Sequence, residues 1–241
     1  MPTDPFRDLR EELCRGHRRL AEAGLVALSF GNASGIDRTA GVVLIKPSGI
    51  ACDALEPDML VPVALETGRP LDSRYRPSSD TPTHLVLYRR YPELGGIVHT
   101  HSPQASAWAQ ARLSIPPLGT THADHFAGEV PVTRALRRHE VAGAYELETG
   151  HVIVETLERL RLHPLDMPAV LVASHGPFVW GASVTEAVDN AIALEIVAAM
   201  AADTLRLRPQ ARSVGRWLLE RHHSRKHGPD AYYGQRPSTP T

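Results

Sequence analysis

The spacing of apolar side chains predicts a chain in which helices and strands alternate. Leu9, Leu13 and Leu20 recur at helical intervals near the N-terminus, where Asp4 would cap a first helix and Pro5 would take its first position. The chain is therefore expected to open with an amphipathic helix.

Further along the chain, short apolar runs bounded by glycine, serine or proline predict strands, and longer periodic stretches predict helices. The predicted strands are 25–30, 41–49, 95–101 and 169–176, and the predicted helices are 78–91, 152–160 and 183–205. In the last of these, Ser183 and Glu186 have capping-box spacing. This mixture predicts a single α/β domain over 1–235, with helices against a central sheet and a disordered tail at 236–241.

Composition narrows the class of protein. A formal net charge of −1 over 241 residues offers no basic field for nucleic acid or an anionic membrane. Two cysteines make no disulfide framework, the N-terminus is too charged for a signal peptide, and no apolar run approaches membrane-spanning length. We expect a soluble cytoplasmic protein that binds neither nucleic acid nor membrane.

Histidines stand where a core-filling strand would not need them. His99 and His101 lie two residues apart at the end of an apolar run, so their side chains are expected on one face of a strand. His175 ends another apolar run. The alternative is an incidental pair and a turn histidine, but three imidazoles at strand ends favour a zinc or other transition-metal site with one position open for catalysis.

Asp80 is open to two interpretations. It stands directly before a predicted helix that has Pro82 in its first turn, so a helix-capping role is the simpler one. A carboxylate at that position would also serve as a fourth metal ligand or as a base beside the metal.

Two short stretches have the composition of anion-binding turns. Residues 29–35 and 46–50 combine small residues, hydroxyl groups and backbone N–H groups, and Lys46 adds a positive charge. Ordinary turns have the same composition, and the glycine spacing matches neither a phosphate-binding P-loop nor a dinucleotide-binding motif. Residues 119–134, which include Asp124, and 221–235, which include Tyr233, fit either surface or active-site segments.

In this order, the motifs resemble the class II aldolase/epimerase family, and within it the L-ribulose-5-phosphate 4-epimerases. The resemblance runs from about residue 25 to residue 235 and is most specific over 77–110 and in the ending AYYGQ. The stretches that carry it are SFGNASGID, IKPSGI, RPSSDTPTHLVLYRRYPELGGIVHTHSPQASAWAQ, GTTHADHF, ASHGPFVWG and RKHGPDAYYGQ.

The resemblance implies a mostly antiparallel central sheet flanked by helices, and a homotetramer with sites between neighbouring subunits. It implies zinc, or manganese or another divalent transition metal, held by Asp80, His99, His101 and His175. It implies acid and base roles for Asp124 and Tyr233. The implied contacts to a sugar phosphate are Gly31, Asn32, Lys46, Ser48, Gly49, Ser78 and Ser79.

The activity that the resemblance implies is inversion of carbon 4, which interconverts L-ribulose 5-phosphate and D-xylulose 5-phosphate. Since that carbon has no acidic proton, the expected route is retro-aldol cleavage between C3 and C4 followed by re-addition, with zinc as Lewis acid. A sugar-phosphate aldolase that releases the aldehyde is the alternative. Proteins that use this fold without catalysis lack the metal histidines, whereas this chain has all three.

Overall fold

Six strands form one antiparallel sheet in the computed structural model, which describes residues 4–71, 74–227 and 231–232. The strands are β1 (Asn32–Asp37), β2 (Val42–Ile45), β3 (Val61–Ala64), β4 (Gly96–His99), β5 (Ala169–Leu171) and β6 (Pro177–Gly181). Their order across the sheet is β3-β2-β1-β4-β6-β5, and every neighbouring pair is antiparallel. The expected sheet architecture is confirmed.

Helices cover both faces of this sheet. The helices are α1 (Arg7–Glu22), α2 (Thr81–Arg90), α3 (Pro103–Ala111), α4 (Thr120–Ala123), α5 (Arg138–Ala142), α6 (Tyr145–Leu160), α7 (Val184–Leu207) and α8 (Arg216–His227). None of the helices within the described ranges is both long and apolar enough to span a bilayer.

The strands divide their apolar side chains between two cores. On β2, Val42 and Leu44 point into a core shared with α1, α3 and α7, whereas Val43 and Ile45 point into a core shared with α2 and α6. This division follows from the period of two along a strand, which sends successive side chains to opposite faces. All four are buried, so β2 is covered on both sides.

The central strand β1 differs from the sequence prediction. A strand was expected at 25–30, but the structure places it at Asn32–Asp37, in a stretch interpreted as a turn. Its small residues are needed for packing: a Cβ on Gly35 would lie 2.7 Å from side-chain atoms of both Leu9 and Val184. Close approach of α1 and α7 therefore selects small residues that carry no strand signal of their own.

Other element boundaries in the structure also differ from those predicted from the sequence. The first helix begins at Arg7 rather than Pro5, because Asp4 caps a preceding turn, in which its Oδ1 accepts the N–H of Phe6 at 3.0 Å. Helix α6 begins seven residues before the predicted start, and β3, β6 and the helical part of the C-terminal stretch were not predicted. Ser183 does cap α7 as expected, since its Oγ accepts the N–H of Glu186 at 3.1 Å.

Candidate active site

Three histidine side chains converge at one edge of the sheet. His99 ends β4, His101 follows it by two residues, and His175 lies in the turn between β5 and β6. Because β4 and β6 are neighbours, that turn lies beside the end of β4. The Nε2 atom of His101 is 3.0 Å from Nε2 of His99 and 3.2 Å from Nε2 of His175. Among the described residues these three form the group whose ligand atoms all lie within 4.8 Å of one another.

This arrangement fits a transition-metal ion. Tetrahedral bonds of about 2.0–2.1 Å would separate the ligand nitrogens by roughly 3.3–3.4 Å, close to the observed spacing. His99 is 1% exposed, and burial, followed by the neighbouring His175, holds its pKa well below the ordinary value. Burial, followed by His101, also lowers the pKa of His175. His99 and the half-buried His175 are thus neutral at pH 7, which is the form that binds metals.

The orientation of His99 is set by the strand that follows the turn. Its Nδ1 lies 2.9 Å from the carbonyl oxygen of Pro177, and its ring stacks on Phe178 with the centroids 4.2 Å apart. Since a carbonyl only accepts, the proton of His99 belongs on Nδ1, and Nε2 presents a lone pair. The first residues of β6 therefore aim His99 at the other two histidines.

Asp80 is the N-cap residue of α2, but its side chain makes no capping hydrogen bond. Its Oδ2 instead accepts a hydrogen bond of 2.7 Å from Nδ2 of Asn32, and the same Nδ2 lies 3.1 Å from Oγ of Ser78. The capping interpretation is therefore wrong. Asp80 lines the same cavity as the three histidines but lies outside their group, so its role as a fourth ligand stays a prediction.

The two turns expected to bind an anion open into this cavity, although residues 32–35 of the first belong to β1. Backbone hydrogen bonds join the second of these turns to the serine-rich stretch at 76–79: the N–H of Ser48 donates to the carbonyl of Arg76 at 2.9 Å, and the N–H of Ser78 donates to that of Lys46 at 3.0 Å. Lys46 is 2% exposed, its Nζ lies 3.2 Å from the carbonyl oxygen of Ser29, and burial lowers its pKa. The turns and the lysine thus form one polar wall.

The cavity has a volume of about 410 Å³ and gathers nearly all of the residues singled out from sequence. The residues expected to bind metal or substrate that line it are Gly31, Asn32, Lys46, Ser48, Gly49, Ser78, Ser79, Asp80, His99, His101 and His175. Asp124, one of the two expected acid and base residues, is not among the described residues that line the cavity.

Four lining residues were not named as site residues from the sequence: Tyr145 and Glu146, and Ser29 and Phe30, which belong to the candidate turn 29–35. Phe30 is 54% exposed, and its ring stacks on that of His101 at a centroid distance of 6.0 Å. Tyr145 and Glu146 begin α6, and the hydroxyl of Tyr145 lies 3.2 Å from Nδ1 of His175. The exposed aromatic residue at 30 was a usable signal, whereas nothing in the local pattern distinguishes position 145.

Asp124 lies apart from the cavity, at the end of α4, where it contacts α8. Arg225 donates two hydrogen bonds to its carboxylate, at 2.9 and 2.7 Å, and Nδ1 of His222 lies 3.0 Å from Oδ1. Burial opposes ionisation, but the hydrogen bonds from Arg225 and His222 outweigh it, so the pKa of Asp124 is lower than usual. Tyr233, the other expected acid or base, and the 236–241 tail lie outside the described residues.

Fold, cavity and histidine group together define a class II aldolase-type protein with a candidate metal site. Over residues 11–202 the chain matches the family described as Class II Aldolase and Adducin N-terminal domain, and it therefore belongs to that family.

Solved structures are similar over nearly the whole chain. YgbL from Escherichia coli, whose assignment as an aldolase, epimerase or decarboxylase is open, is 28% identical, with a TM-score of 0.71 over 92% of this chain and 100% of that one. An L-fuculose 1-phosphate aldolase is 21% identical, with a TM-score of 0.73 over 90% and 95% of the two chains. L-fuculose-1-phosphate aldolase from Thermus thermophilus is 23% identical, with a TM-score of 0.66 over 86% and 98%. At these identities the two aldolases support the fold alone.

Proposed function

We propose that this protein is a metal-dependent L-ribulose-5-phosphate 4-epimerase, which interconverts L-ribulose 5-phosphate and D-xylulose 5-phosphate. The observation that carries the proposal is one cavity that holds three converging imidazoles together with a buried lysine and serine-rich turns. The imidazoles suit a Lewis-acidic metal, and the lysine with the serine-rich turns suits a phosphate. A phosphorylated ketose needs both.

The chemistry follows from the carbon to be inverted. Carbon 4 has no acidic proton, so cleavage and re-formation of the C3–C4 bond is the available route. A transition-metal ion held by the three imidazoles would supply Lewis-acid stabilisation of the negative charge that cleavage leaves on the three-carbon fragment. The polar wall of Lys46, Ser48 and Ser78 would hold the other fragment by its phosphate, so that its aldehyde turns over before the bond forms again.

Proton transfer at the C4 oxygen requires an acid and a base beside the reacting aldehyde. Asp124 is held as a carboxylate beside α8, outside the cavity. We assign the acid and base roles to Asp124 and Tyr233 of a neighbouring subunit, in a homotetramer whose sites lie between chains. This assignment rests on the motif resemblance and on the polar setting of Asp124.

An aldolase that releases the aldehyde is the second candidate, and Asp80 is the observation that favours it. Its carboxylate is bound to Asn32 inside the cavity and stands apart from the histidine group. A carboxylate that is not a ligand is free to act as a base. In that case Asp80, rather than Asp124, would handle protons during cleavage.

A coupled assay separates the two candidates. An epimerase converts L-ribulose 5-phosphate to D-xylulose 5-phosphate without accumulating free glycolaldehyde phosphate, whereas an aldolase releases the aldehyde or cleaves L-fuculose 1-phosphate.

Purified protein is expected to carry about one transition-metal ion per chain. Chelation should abolish turnover, and zinc or manganese should restore it. Elemental analysis of active protein without stoichiometric metal would overturn the proposal.

A further inference from the structure

Two of the three converging histidines have a described partner at the ring nitrogen that faces away from the group. For His99 the partner is the backbone carbonyl of Pro177, 2.9 Å from Nδ1. For His175 the partner is a side chain, the hydroxyl of Tyr145, 3.2 Å from Nδ1. A backbone carbonyl cannot be removed by substitution, but the phenol can. Tyr145 therefore offers a contact behind the histidine group that can be tested.

Hydrogen bonds hold the backbone at Tyr145 in place. It is the first residue of α6, and Oγ1 of Thr149 donates to its carbonyl at 2.9 Å. The carbonyl of the next residue, Glu146, accepts a hydrogen bond of 2.5 Å from Oγ1 of Thr83 on α2. The first turn of α6 is thereby fastened to the helix that follows Asp80. Both bonds involve the backbone of α6, whereas the phenol oxygen lies near the side chains of His175 and Thr149.

His175 has less support of its own. It lies in a turn rather than in a strand, directly after Ser174, whose φ of 63° is in the left-handed region. A neutral imidazole carries its proton on either nitrogen, and only the form with the proton on Nδ1 leaves Nε2 free to bind a metal. The hydroxyl oxygen of Tyr145, 3.2 Å from Nδ1, is placed to accept that proton. Without an acceptor at Nδ1, no hydrogen bond on that side of the His175 ring fixes its tautomer or its rotation.

We infer that Tyr145 is a positioning residue that fixes His175 with Nε2 turned toward His99 and His101. The inference rests on the metal site in the proposed function and adds a residue that acts through a ligand. Hydrogen-bond partners of this kind orient metal ligands, and their loss typically weakens metal binding about 10–100-fold. The contribution of Tyr145 is therefore expected in metal affinity, before any effect on turnover.

Tyr145→Phe isolates the oxygen from the ring. The Tyr145 ring lies beside that of His175, with centroids 6.2 Å apart and planes tilted by 30°. Phenylalanine preserves this packing and the two bonds to the α6 backbone. Tyr91→Phe is the control: Tyr91 is buried, whereas Tyr145 is half-buried, it lies beyond the end of α2, and its hydroxyl has no hydrogen-bond partner among the described residues.

The test titrates metal-stripped protein with Co²⁺, using its visible absorption as the signal, and then measures Zn²⁺ affinity by chelator competition. Tyr145→Phe should bind both ions about 10–100-fold more weakly than wild type, with an altered Co²⁺ spectrum. Tyr91→Phe should match wild type in both. The thermal midpoints of the metal-free proteins show whether either substitution disturbs the fold.

The outcomes separate this inference from the proposed function. Equal affinities and spectra for wild type and Tyr145→Phe would overturn the inference and leave the metal site standing. Wild-type protein that binds neither ion would overturn the proposed function and the inference with it. Equal weakening by Tyr91→Phe would also overturn the inference, because it would show that loss of any buried hydroxyl has the same effect.

Discussion

The carboxylate of Asp80 accepts a hydrogen bond of 2.7 Å from the side-chain amide of Asn32, on a different secondary-structure element. Asp80 stands at the N-cap of α2, where an aspartate ordinarily bonds to the helix backbone, yet it makes no such bond. Its side chain faces the cavity instead. Asp80 therefore contributes its carboxylate to the cavity wall and not to the helix cap.

Asp80→Asn should therefore impair the site and spare the helix. The amide oxygen still accepts from Asn32, so unfolding free energy should change by less than about 0.5 kcal/mol. Turnover should fall by roughly 10²–10⁴ if Asp80 acts as a base. Ser183→Ala, at an N-cap that does bond to its helix, should instead cost about 1 kcal/mol of stability. Urea unfolding, turnover and metal content are the measurements.

Metal content then decides the role of Asp80. A variant that retains metal at wild-type affinity while losing turnover identifies a base. A variant that loses metal identifies a ligand, and with it a rearrangement of the cavity upon binding. Retained turnover would exclude both roles.

Gly31 permits a close approach that no other residue allows. Its φ is +75°, and an added Cβ would lie 2.8 Å from the carbonyl oxygen of His99. Gly24 has a φ of +73° with nothing within 4 Å of such a Cβ. Gly24→Ala should cost about 1–2 kcal/mol through backbone strain alone. Gly31→Ala should cost a further ~1–3 kcal/mol and weaken metal binding, because the end of β4 must shift.

Unfolding free energies of the two alanine variants, with Co²⁺ titration of each, check this expectation. The difference between them measures the clash against His99, since both glycines share the same backbone conformation. If the two variants are equally stable and bind metal equally, the contact does not constrain the site.

The buried side chain of His17 makes the free energy of unfolding depend on pH. It is fully buried, with Nδ1 at 2.8 Å from the Leu13 carbonyl, and Nε2 accepts the N–H of Ala33 at 3.0 Å. Burial, foremost, lowers the pKa of His17 to about 4. Since the unfolded side chain titrates near 6.5, it gains a proton first as pH falls, and the folded state loses stability between about pH 6.5 and 4. The slope is up to about 1.4 kcal/mol per pH unit.

His17→Gln removes this titration. It should be less stable than wild type at pH 7.5, because the two hydrogen bonds of His17 are disturbed. The gap should narrow as pH falls toward 4, since only wild type loses the His17 contribution. Unfolding free energies from urea titrations across that range are the measurement. A gap that stays constant with pH would contradict the assigned ionisation.

A site shared between subunits predicts rescue in mixed tetramers. Tyr233→Phe and His99→Asn should each be nearly inactive, because one lacks an acid or base and the other a metal ligand. In randomly reassembled tetramers, about one site in four takes its metal ligands from a Tyr233→Phe chain and its tyrosine from a neighbouring His99→Asn chain. Turnover of the mixture should recover toward that fraction. Hybrids as inactive as both parents would show that Tyr233 does not act across an interface.

Asp124 provides the matched control. Arg225 binds the Asp124 carboxylate, and the carbonyl of Arg225 accepts the N–H of Tyr232, the residue before Tyr233. We therefore expect one chain to supply both Asp124 and Tyr233 to a site. Asp124→Asn mixed with His99→Asn should recover activity, whereas Asp124→Asn mixed with Tyr233→Phe should stay inactive. Recovery in the second mixture would place the two residues in different chains.

Much of the candidate site could be predicted from the sequence, because its signals are local. His99 and His101 share a side of the chain through the period of a strand, and the loops around Lys46 and Ser78 carry turn residues within a few positions of one another. The helix after Ser183 has both its cap and its apolar length in one stretch. Periodicity and turn chemistry act over such distances, so these features can be read along the chain.

The tertiary structure decided what depends on packing between distant segments. The central position of β1 follows from α1 and α7 closing on Gly35, which no propensity of the segment expresses. Tyr145 meets His175 only because α6 is fastened to α2, and Asp80 leaves its helix cap only because β1 brings Asn32 to it. The three hydrogen bonds behind these arrangements join residues 30 to 63 positions apart, and their energies depend on which surfaces the folded chain brings together.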